Sequence, residues 1–319
     1  MNKPEKVLFC IECHGNIEYT DSNFKCSKCG KIYTKEKIVS FLKNEYQSVS
    51  NIQSLDNIDD IKAKVSNGYS FVSGSLKEMG ISDASRFLNL GYIANEKPQY
   101  AIYEPDTDQI NKNSVKLLYE VLGDYNPDNK IILEVGCGRG GNVETISRKF
   151  NVELLIGVDI CKANITACSN IKNENTFFFV ADAEELPFLD NSFDMVYNIE
   201  SSDSYPNIEK FYRHVHRILK TNGYFLYADM FPPSIFTENI KMLIGMGFEI
   251  IRDVDISSNV LLSCYQTGKR RMKAYKTSKE WQDKALEEFL AVPGSKAFQE
   301  LKNGTQVYKI FALKKVNST

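Results

Sequence analysis

The run Glu134-Val-Gly-Cys-Gly-Arg-Gly-Gly-Asn142 closes an apolar segment and opens onto a helix-forming one. Glycines placed there let a chain turn sharply and bring backbone against a ligand. The same turn can serve a dinucleotide or a phosphate, but no Gly-Lys-Ser/Thr follows, which disfavours a nucleotide triphosphatase. Asp159 ends the next apolar run about twenty residues on, where a carboxylate can accept from both hydroxyls of a ribose. Asp182, followed by Ala183, ends the third such run. Any one of these acids alone reads as a helix cap or a surface carboxylate. Three in register with strand ends describe a pocket for a ribose-bearing ligand.

A second constellation lies near the N-terminus. Cys10, Cys13, Cys26 and Cys29 form two Cys-x-x-Cys pairs twelve residues apart, with Gly15 and Gly30 just after them. Four thiolates at this spacing, close to the zinc-ribbon pattern, predict a closed tetrahedral Zn²⁺ site with a folding role and no open position for water. His14 is adjacent and surplus. A redox pair is the alternative, which two matched pairs disfavour. Cys137, Cys161, Cys168 and Cys264 read as small apolar packing groups.

From Lys130 onward, short apolar runs alternate with helical segments, the signature of a parallel α/β sheet. Strands are predicted at 131–135, 154–160, 177–182, 193–199 and 224–230, and helices at 142–150, 162–172 and 208–220. Helix, turn and strand follow over 240–256, then a helical tail to Leu290 and a closing strand at 306–315. Ile208, Phe211, Val215, Ile218 and Leu219 recur at helical spacing and predict a helix packed on the sheet. Four segments are expected: 1–43 as a zinc-ribbon-like module, 44–60 as a polar linker, 61–125 as a helical lid, and 126–319 as the α/β domain with a C-terminal segment over the substrate. Phe87, Tyr92, Tyr100 and Tyr103 are the aromatic clusters of the lid or of a core beneath it.

The composition is that of a globular chain, 43% hydrophobic and 25% charged over 319 residues. No run approaches the length of a membrane span and the first residues lack the apolar core of a secretory signal, so a cytoplasmic protein is expected. The formal net charge of −2 conceals an asymmetry: residues 269–319 carry 12 Lys/Arg against 5 Asp/Glu, residues 51–268 carry 19 against 30. An acidic middle does not match the concentrated basic face of a nucleic-acid binder. The basic tail is a solvated Lys-rich face or a contact for an anionic substrate or carrier.

The glycine turn, Asp159 and the stretch Asp182-Ala-Glu-Glu-Leu-Pro-Phe-Leu-Asp-Asn-Ser-Phe-Asp194 together resemble the class I S-adenosylmethionine-dependent methyltransferases, in particular the type 11-like group acting on small molecules and natural products, over about residues 85–315. The resemblance implies a Rossmann-like seven-stranded sheet with its last strand antiparallel, and S-adenosyl-L-methionine as cofactor. It implies that Gly136, Gly138 and Gly140 approach the amino-acid part of that cofactor and that Glu134 orients the turn. Asp159 would hold the ribose, Ile160 would pack on adenine, and Asp182 would accept from the adenine amino group with Ala183 beside it.

Methyl transfer is an in-line displacement, so such an enzyme must chiefly hold an acceptor atom behind the methyl in a dry site; a base helps if the acceptor is a hydroxyl. Where relatives carry Glu-Ser-x-His and Ala-Asp-Phe, this chain reads Glu200-Ser-Ser-Asp-Ser-Tyr-Pro206 and Ala228-Asp-Met230. Asp203 thus stands where many relatives have histidine. Asp203 and Asp229 form the candidate pair near the acceptor, with Tyr205 as donor, although Asp203 is equally placed to cap the following helix. His214 and His216 fall inside that helix as solvent-facing or satisfied groups. Residues 289–315 resemble the tails of methyltransferases acting on hydroxyls of sugars, polyketides and lipids, which favours O-methylation of a small molecule, free or carrier-bound. Two other readings stay open. One is a ribosomal RNA guanine methyltransferase, some of which join a zinc module to this fold; it predicts a basic groove. The other is a cofactor-binding adaptor recruited to a role other than methyl transfer, such as a cyclisation.

Overall fold

The computed structural model describes residues 4–20, 23–34, 38–43, 57–78, 80, 85–94, 111–275 and 280–316. β1 (Ile17–Thr20), β2 (Asn23–Cys26) and β3 (Ile32–Thr34) make a small antiparallel sheet around the cysteines. A second sheet holds β4 (Val39–Ser40), β5 (Ile131–Val135), β6 (Leu154–Asp159), β7 (Thr176–Val180), β8 (Phe193–Ile199), β9 (Leu219–Phe231), β10 (Phe248–Asp255) and β11 (Val307–Lys315), in the order β10-β11-β9-β8-β5-β6-β7-β4. From β4 across to β9 neighbours run parallel, whereas β11 is antiparallel to β9 and to β10. This is the expected seven-stranded α/β sheet with its antiparallel closing strand, extended by one short strand from the N-terminal module.

Helices α1 (Ile58–Glu78), α2 (Lys112–Leu122), α3 (Gly141–Lys149), α4 (Lys162–Ala167), α5 (Ile208–Ile218), α6 (Pro233–Gly245), α7 (Ser257–Tyr275), α8 (Glu280–Phe289) and α9 (Lys296–Asn303) flank it. Both faces of the sheet are buried. Leu133, Val135, Ile156, Val196 and Phe225 share a core with Phe211 and Val215 of α5 and Phe236 of α6. Ile132, Leu155, Met195 and Leu226 face the other way, with Leu118 of α2, Val143 of α3 and Phe298 of α9. The apolar repeat of α5 works as predicted, and Asn207 ends it cleanly, its Oδ1 accepting from Lys210 N at 2.9 Å. A third, smaller cluster, Leu76, Leu286, Leu290 and Val292, ties α1 to α8 above the strand ends.

The module at 1–43 is docked on the α/β domain. β4 pairs with β7, Val39 opposite Phe179 and Ser40 opposite Val180. Phe24 and Phe41 meet Phe179 edge-on at 5.7 and 5.5 Å. Phe9 N donates to Pro187 O at 3.0 Å and Leu189 N to Val7 O at 2.8 Å. Sheet edges offer unpaired N–H and C=O groups that need a cover, and the ribbon covers this one. The polar stretch read as a linker ends sooner than its composition suggests. Asn57 Oδ1 accepts from Asp60 N at 2.9 Å, so α1 starts at Ile58 with Asp59 and Asp60 in its first turn, where the helix dipole favours acids. Residues 44–56, Tyr100 and Tyr103 lie outside the described residues. Residues 85–94, expected within a helical region, have no regular structure because side chains elsewhere take their backbone groups: Ser85 O accepts from Arg139 Nε, Asn89 O from Arg271, and Leu90 N donates to Glu200. No helix among the described residues is long and apolar enough to cross a membrane.

Truncating Phe41, which is 2% exposed, to alanine is expected to cost about 3 kcal/mol by leaving a void against Phe179. Urea unfolding followed by circular dichroism checks this, and the shared core predicts one transition; a separate early transition for the ribbon would contradict it.

Candidate functional site

The carboxyl ends of β5, β6, β7 and β8 open into a cavity of about 250 Å³, where open α/β sheets place their ligands. The glycine turn forms its floor. Gly136 has φ +74°, and a Cβ there would collide with the Ser201 side chain, so no other residue fits. Gly138 lines the cavity and its N–H donates to Asp159 Oδ2 at 2.8 Å. Gly140 stands behind the turn at the head of α3, where a Cβ would meet Ile171, Cys168 and Phe178; Gly141 and Asn142 line the cavity in its place.

Glu134, Asp159, Glu200, Asp203 and Asp229 all line this cavity and are driven upward by desolvation. Glu134, 1% exposed, accepts from Asn142 Nδ2 at 2.8 Å and Tyr197 OH at 3.2 Å, yet burial pushes it up to about 8. Asp159 accepts from Cys161 N at 2.8 Å and Asn164 Nδ2 at 3.3 Å besides Gly138 N, and burial still raises it to about 6. Ile160 and Ala183 line the same wall. Asp182 Oδ1 accepts from Glu184 N at 2.9 Å, and Oδ2 from Lys62 Nζ at 2.7 Å. Lys62, on α1, escaped the sequence reading because a lysine on an amphipathic helix reads as solvated.

At the other end of the cavity Asp229, 2% exposed, accepts from Ser202 N at 2.8 Å, Ser202 Oγ at 2.6 Å and Met230 N at 2.8 Å. Burial first, and then the charge of Asp203, raises it well above the ordinary carboxylate range. Asp229 therefore fastens the turn Ser202–Ser204 that carries Asp203. Asp203 is exposed, lines the cavity, and does not cap α5, which Asn207 does. Tyr205 reaches back toward the glycine turn, its hydroxyl 2.9 Å from Ser201 Oγ and 3.1 Å from Asn198 Nδ2. Asp203, Tyr205 and Asp229 thus line one cavity, with Asp229 bonded to the turn that carries Asp203 and Tyr205 bonded to Ser201 and Asn198.

It adds Glu200. This residue has φ +52°, a left-handed backbone rare outside glycine. Its Oε1 accepts from Tyr308 OH at 2.8 Å, Leu90 N lies 2.9 Å from both oxygens, and burial raises it to about 7. Glu200 heads the very stretch that was singled out, but its fixing partners come from distant parts of the chain and carry no local signal. All three histidines lie away from the cavity. Burial and then Arg217 lower His214 to about 4, His216 packs on Phe248 at 5.3 Å, and His14 on Phe9 at 4.9 Å. The basic residues lining the cavity are tied up: Lys62 by Asp182 and Glu184, Arg86 by Glu144 at 2.9 Å, Arg139 by Ser85 O at 2.9 Å. The cavity is acidic, unlike the basic groove an RNA substrate needs.

In the ribbon, the Sγ atoms of Cys10, Cys13, Cys26 and Cys29 lie within 4.8 Å of one another, with Cys10–Cys29 at 3.6 Å and Cys13–Cys26 at 3.4 Å. Zn–S bonds of about 2.3 Å put tetrahedral sulfurs about 3.8 Å apart. Lys28 N and Cys29 N donate to Cys26 Sγ at 3.3 and 3.4 Å, donors that suit a thiolate. A Cβ on Gly15 would come within 2.6 Å of Lys28 and 3.0 Å of Cys26 Sγ, so the knuckle requires glycine. The four thiols fit a zinc-ribbon-like module.

Comparison with known proteins agrees with this geometry. A family model for a methyltransferase domain matches residues 133–227, from the glycine turn to β9. The fatty-acid O-methyltransferase of Mycolicibacterium smegmatis is 30% identical over 258 residues, 77% of this chain and 88% of that protein. The phthiotriol/phenolphthiotriol dimycocerosates methyltransferase of Mycobacterium tuberculosis is 28% identical over 73% of this chain and 87% of its own. Among solved structures, the [4+2]-cyclase SpnF superposes with TM-score 0.63 at 17% identity, over 81% of this chain and 97% of that one. The geranyl diphosphate C-methyltransferase of Streptomyces coelicolor superposes with TM-score 0.54 at 15% identity, over 80% and 98%. At such identities the structural likeness speaks for the fold alone, and a cyclase and a methyltransferase share it. The sequence relatives decide the family, and the chain belongs to the class I S-adenosylmethionine-dependent methyltransferases.

Proposed function

We propose that this methyltransferase O-methylates a hydroxyl of a small, lipid-like natural product, free or carrier-bound, in the cytoplasm. The observation that carries the reading is the pairing of an acidic, histidine-free acceptor end with apolar walls from Phe87, Leu88, Leu90 and Phe289. The named acceptors of the relatives, fatty acids and phthiotriol dimycocerosates, point to the same aliphatic chemistry.

Bound S-adenosylmethionine supplies its methyl as a sulfonium. In this reading Asp159 accepts from the ribose hydroxyls, Asp182 and Ala183 flank the adenine with Ile160 against its ring, and Gly136 and Gly138 bring backbone to the amino-acid part. Gly140 sets the entry into α3, and Glu134 braces the turn through Asn142. The raised carboxylates favour a cation in the cavity. At the acceptor end, Glu200 takes the proton of the attacking hydroxyl. A base held near neutrality is half ionised at working pH and strong enough to accept a proton from a hydroxyl losing it in the transition state. Asp229 fixes the turn on which Asp203 faces the acceptor, while Tyr205 steadies Ser201 beside Gly136. The four ribbon thiolates hold Zn²⁺ as a structural ion.

Methyl-labelled S-adenosylmethionine offered with parallel pools of lipid extract and ribosomal RNA is expected to label lipid; label in RNA alone contradicts the reading. Asp159→Asn should weaken cofactor affinity about 100-fold in calorimetry, by loss of charge-assisted bonds to two hydroxyls. Because burial raises Glu200 and the ionised form is the base, kcat should fall as pH drops through about 7. Glu200→Gln should lower kcat about 100-fold or more and abolish that limb, and an unchanged profile removes Glu200 from the role. Elemental analysis should find one zinc per chain, lost in Cys26→Ser together with cooperative unfolding.

A further inference from the structure

Lys62 is 7% exposed, and its ammonium lies 2.7 Å from Asp182 Oδ2 and 2.7 Å from Glu184 Oε2, side chains that are themselves 9% and 3% exposed. Lysine is almost never this buried unless paired, and here it is paired twice. Burial works against its charge, yet the hydrogen bonds and charges of the two acids outweigh it and raise its pKa. The residue lies outside both the family match and the segment that resembles the family, so no functional role comes to it from there.

Its position gives it one. Lys62 lines the cofactor cavity together with Val65 and Tyr69, one and two turns further along α1. It also lines a second groove, of about 240 Å³, that opens on the outside between Phe41 and Lys43 of the ribbon, Ile58 of α1, and Asn207 and Lys210 at the head of α5. Asp182 and Glu184 border both spaces too. The ion triad is therefore the wall between the adenine end of the cavity and the surface. Further along, α1 is fastened by other bonds. Ser70 Oγ lies 3.3 Å from Cys161 Sγ, and Ser73 Oγ donates to Asn164 Oδ1 at 2.8 Å while accepting from Arg139 at 2.5 Å. Among the bonds that tie α1 to the strand ends, the Lys62 pairs are those whose parting joins cavity to groove.

We propose that Lys62 is the gate of the cofactor site: S-adenosylmethionine enters, and S-adenosylhomocysteine leaves, when Lys62 parts from Asp182 and Glu184 and the first turns of α1 swing away from the adenine end. The gate also couples cofactor to lid, because Asp182, the acid assigned to the adenine amino group, is one of the two that hold Lys62. The inference rests on the cofactor reading and not on any acceptor.

Surface plasmon resonance with S-adenosylhomocysteine over immobilised full-length protein tests it. A gate that must open in both directions scales entry and exit by the open fraction. Lys62→Met should therefore raise association and dissociation rates together, each by about tenfold, with a smaller change in Kd, and Lys62→Arg, which keeps the charge, should return both toward the parent values. Unchanged rates, or a rise in dissociation alone, overturn the gate and leave Lys62 a structural or contact residue. No binding by the parent protein would overturn the cofactor reading itself. The parent protein gives a second readout free of folding defects: saturating S-adenosylhomocysteine should slow amide exchange over residues 58–66, and no slowing there contradicts closure by this helix.

Discussion

The energetic problem around which this protein is built is the burial of carboxylates at the ends of parallel strands. Glu134, Asp159, Glu200 and Asp229 are raised by desolvation even though each accepts hydrogen bonds from nearby donors. Such groups weaken the folded state as pH rises through their shifted pKa values, since the folded chain holds protons that the unfolded chain releases. An arrangement of this kind is retained when something positive completes it. A sulfonium cofactor would do so, and under the proposed function the two ends of the cavity would then be two halves of one electrostatic design.

Much of the remaining architecture keeps that design dry and rigid. The close contact of Gly136 with Ser201 locks β5 to β8 at their carboxyl ends. Asp229 on β9 holds the Ser202–Ser204 turn through three hydrogen bonds. Above the strand ends, α1 and α8 share a small apolar core and bring Tyr69 and Phe289 over the cavity, their rings 6.0 Å apart. The ribbon contributes at a distance: it pairs with β7, which leads into Asp182, so the cysteine cluster and the Asp182 end of the cavity are supported by the same strand.

The sheet was legible because the central strands are short apolar runs with glycine or acid at their ends, and the loops that follow them are short enough for motif and strand to be read together. The strand-end acids that line the cavity and the four clustered cysteines were legible for the same reason, each being set by local spacing. What could not be read depends on contacts between distant segments. The docking of Phe41 on Phe179 and the pairing of β4 with β7 join residues some 140 apart in the chain. Lys62 finds Asp182 at a separation of 120, and Tyr308 finds Glu200 at 108. The run at 85–94 lies within the stretch expected to be mixed and helical, but its backbone is claimed by Arg139, Arg271 and Glu200, partners that local sequence does not announce.

The claim that raised carboxylates await a cationic cofactor is tested most directly by calorimetric titration of S-adenosylmethionine at pH 6.5 in buffers of different ionisation enthalpy. Binding of the cation should drive protons off the buried acids, so the apparent enthalpy should vary with the buffer and report net proton release, with affinity tightening as pH rises from 5 to 7. Binding with no proton exchange and an affinity flat over that range would contradict the account.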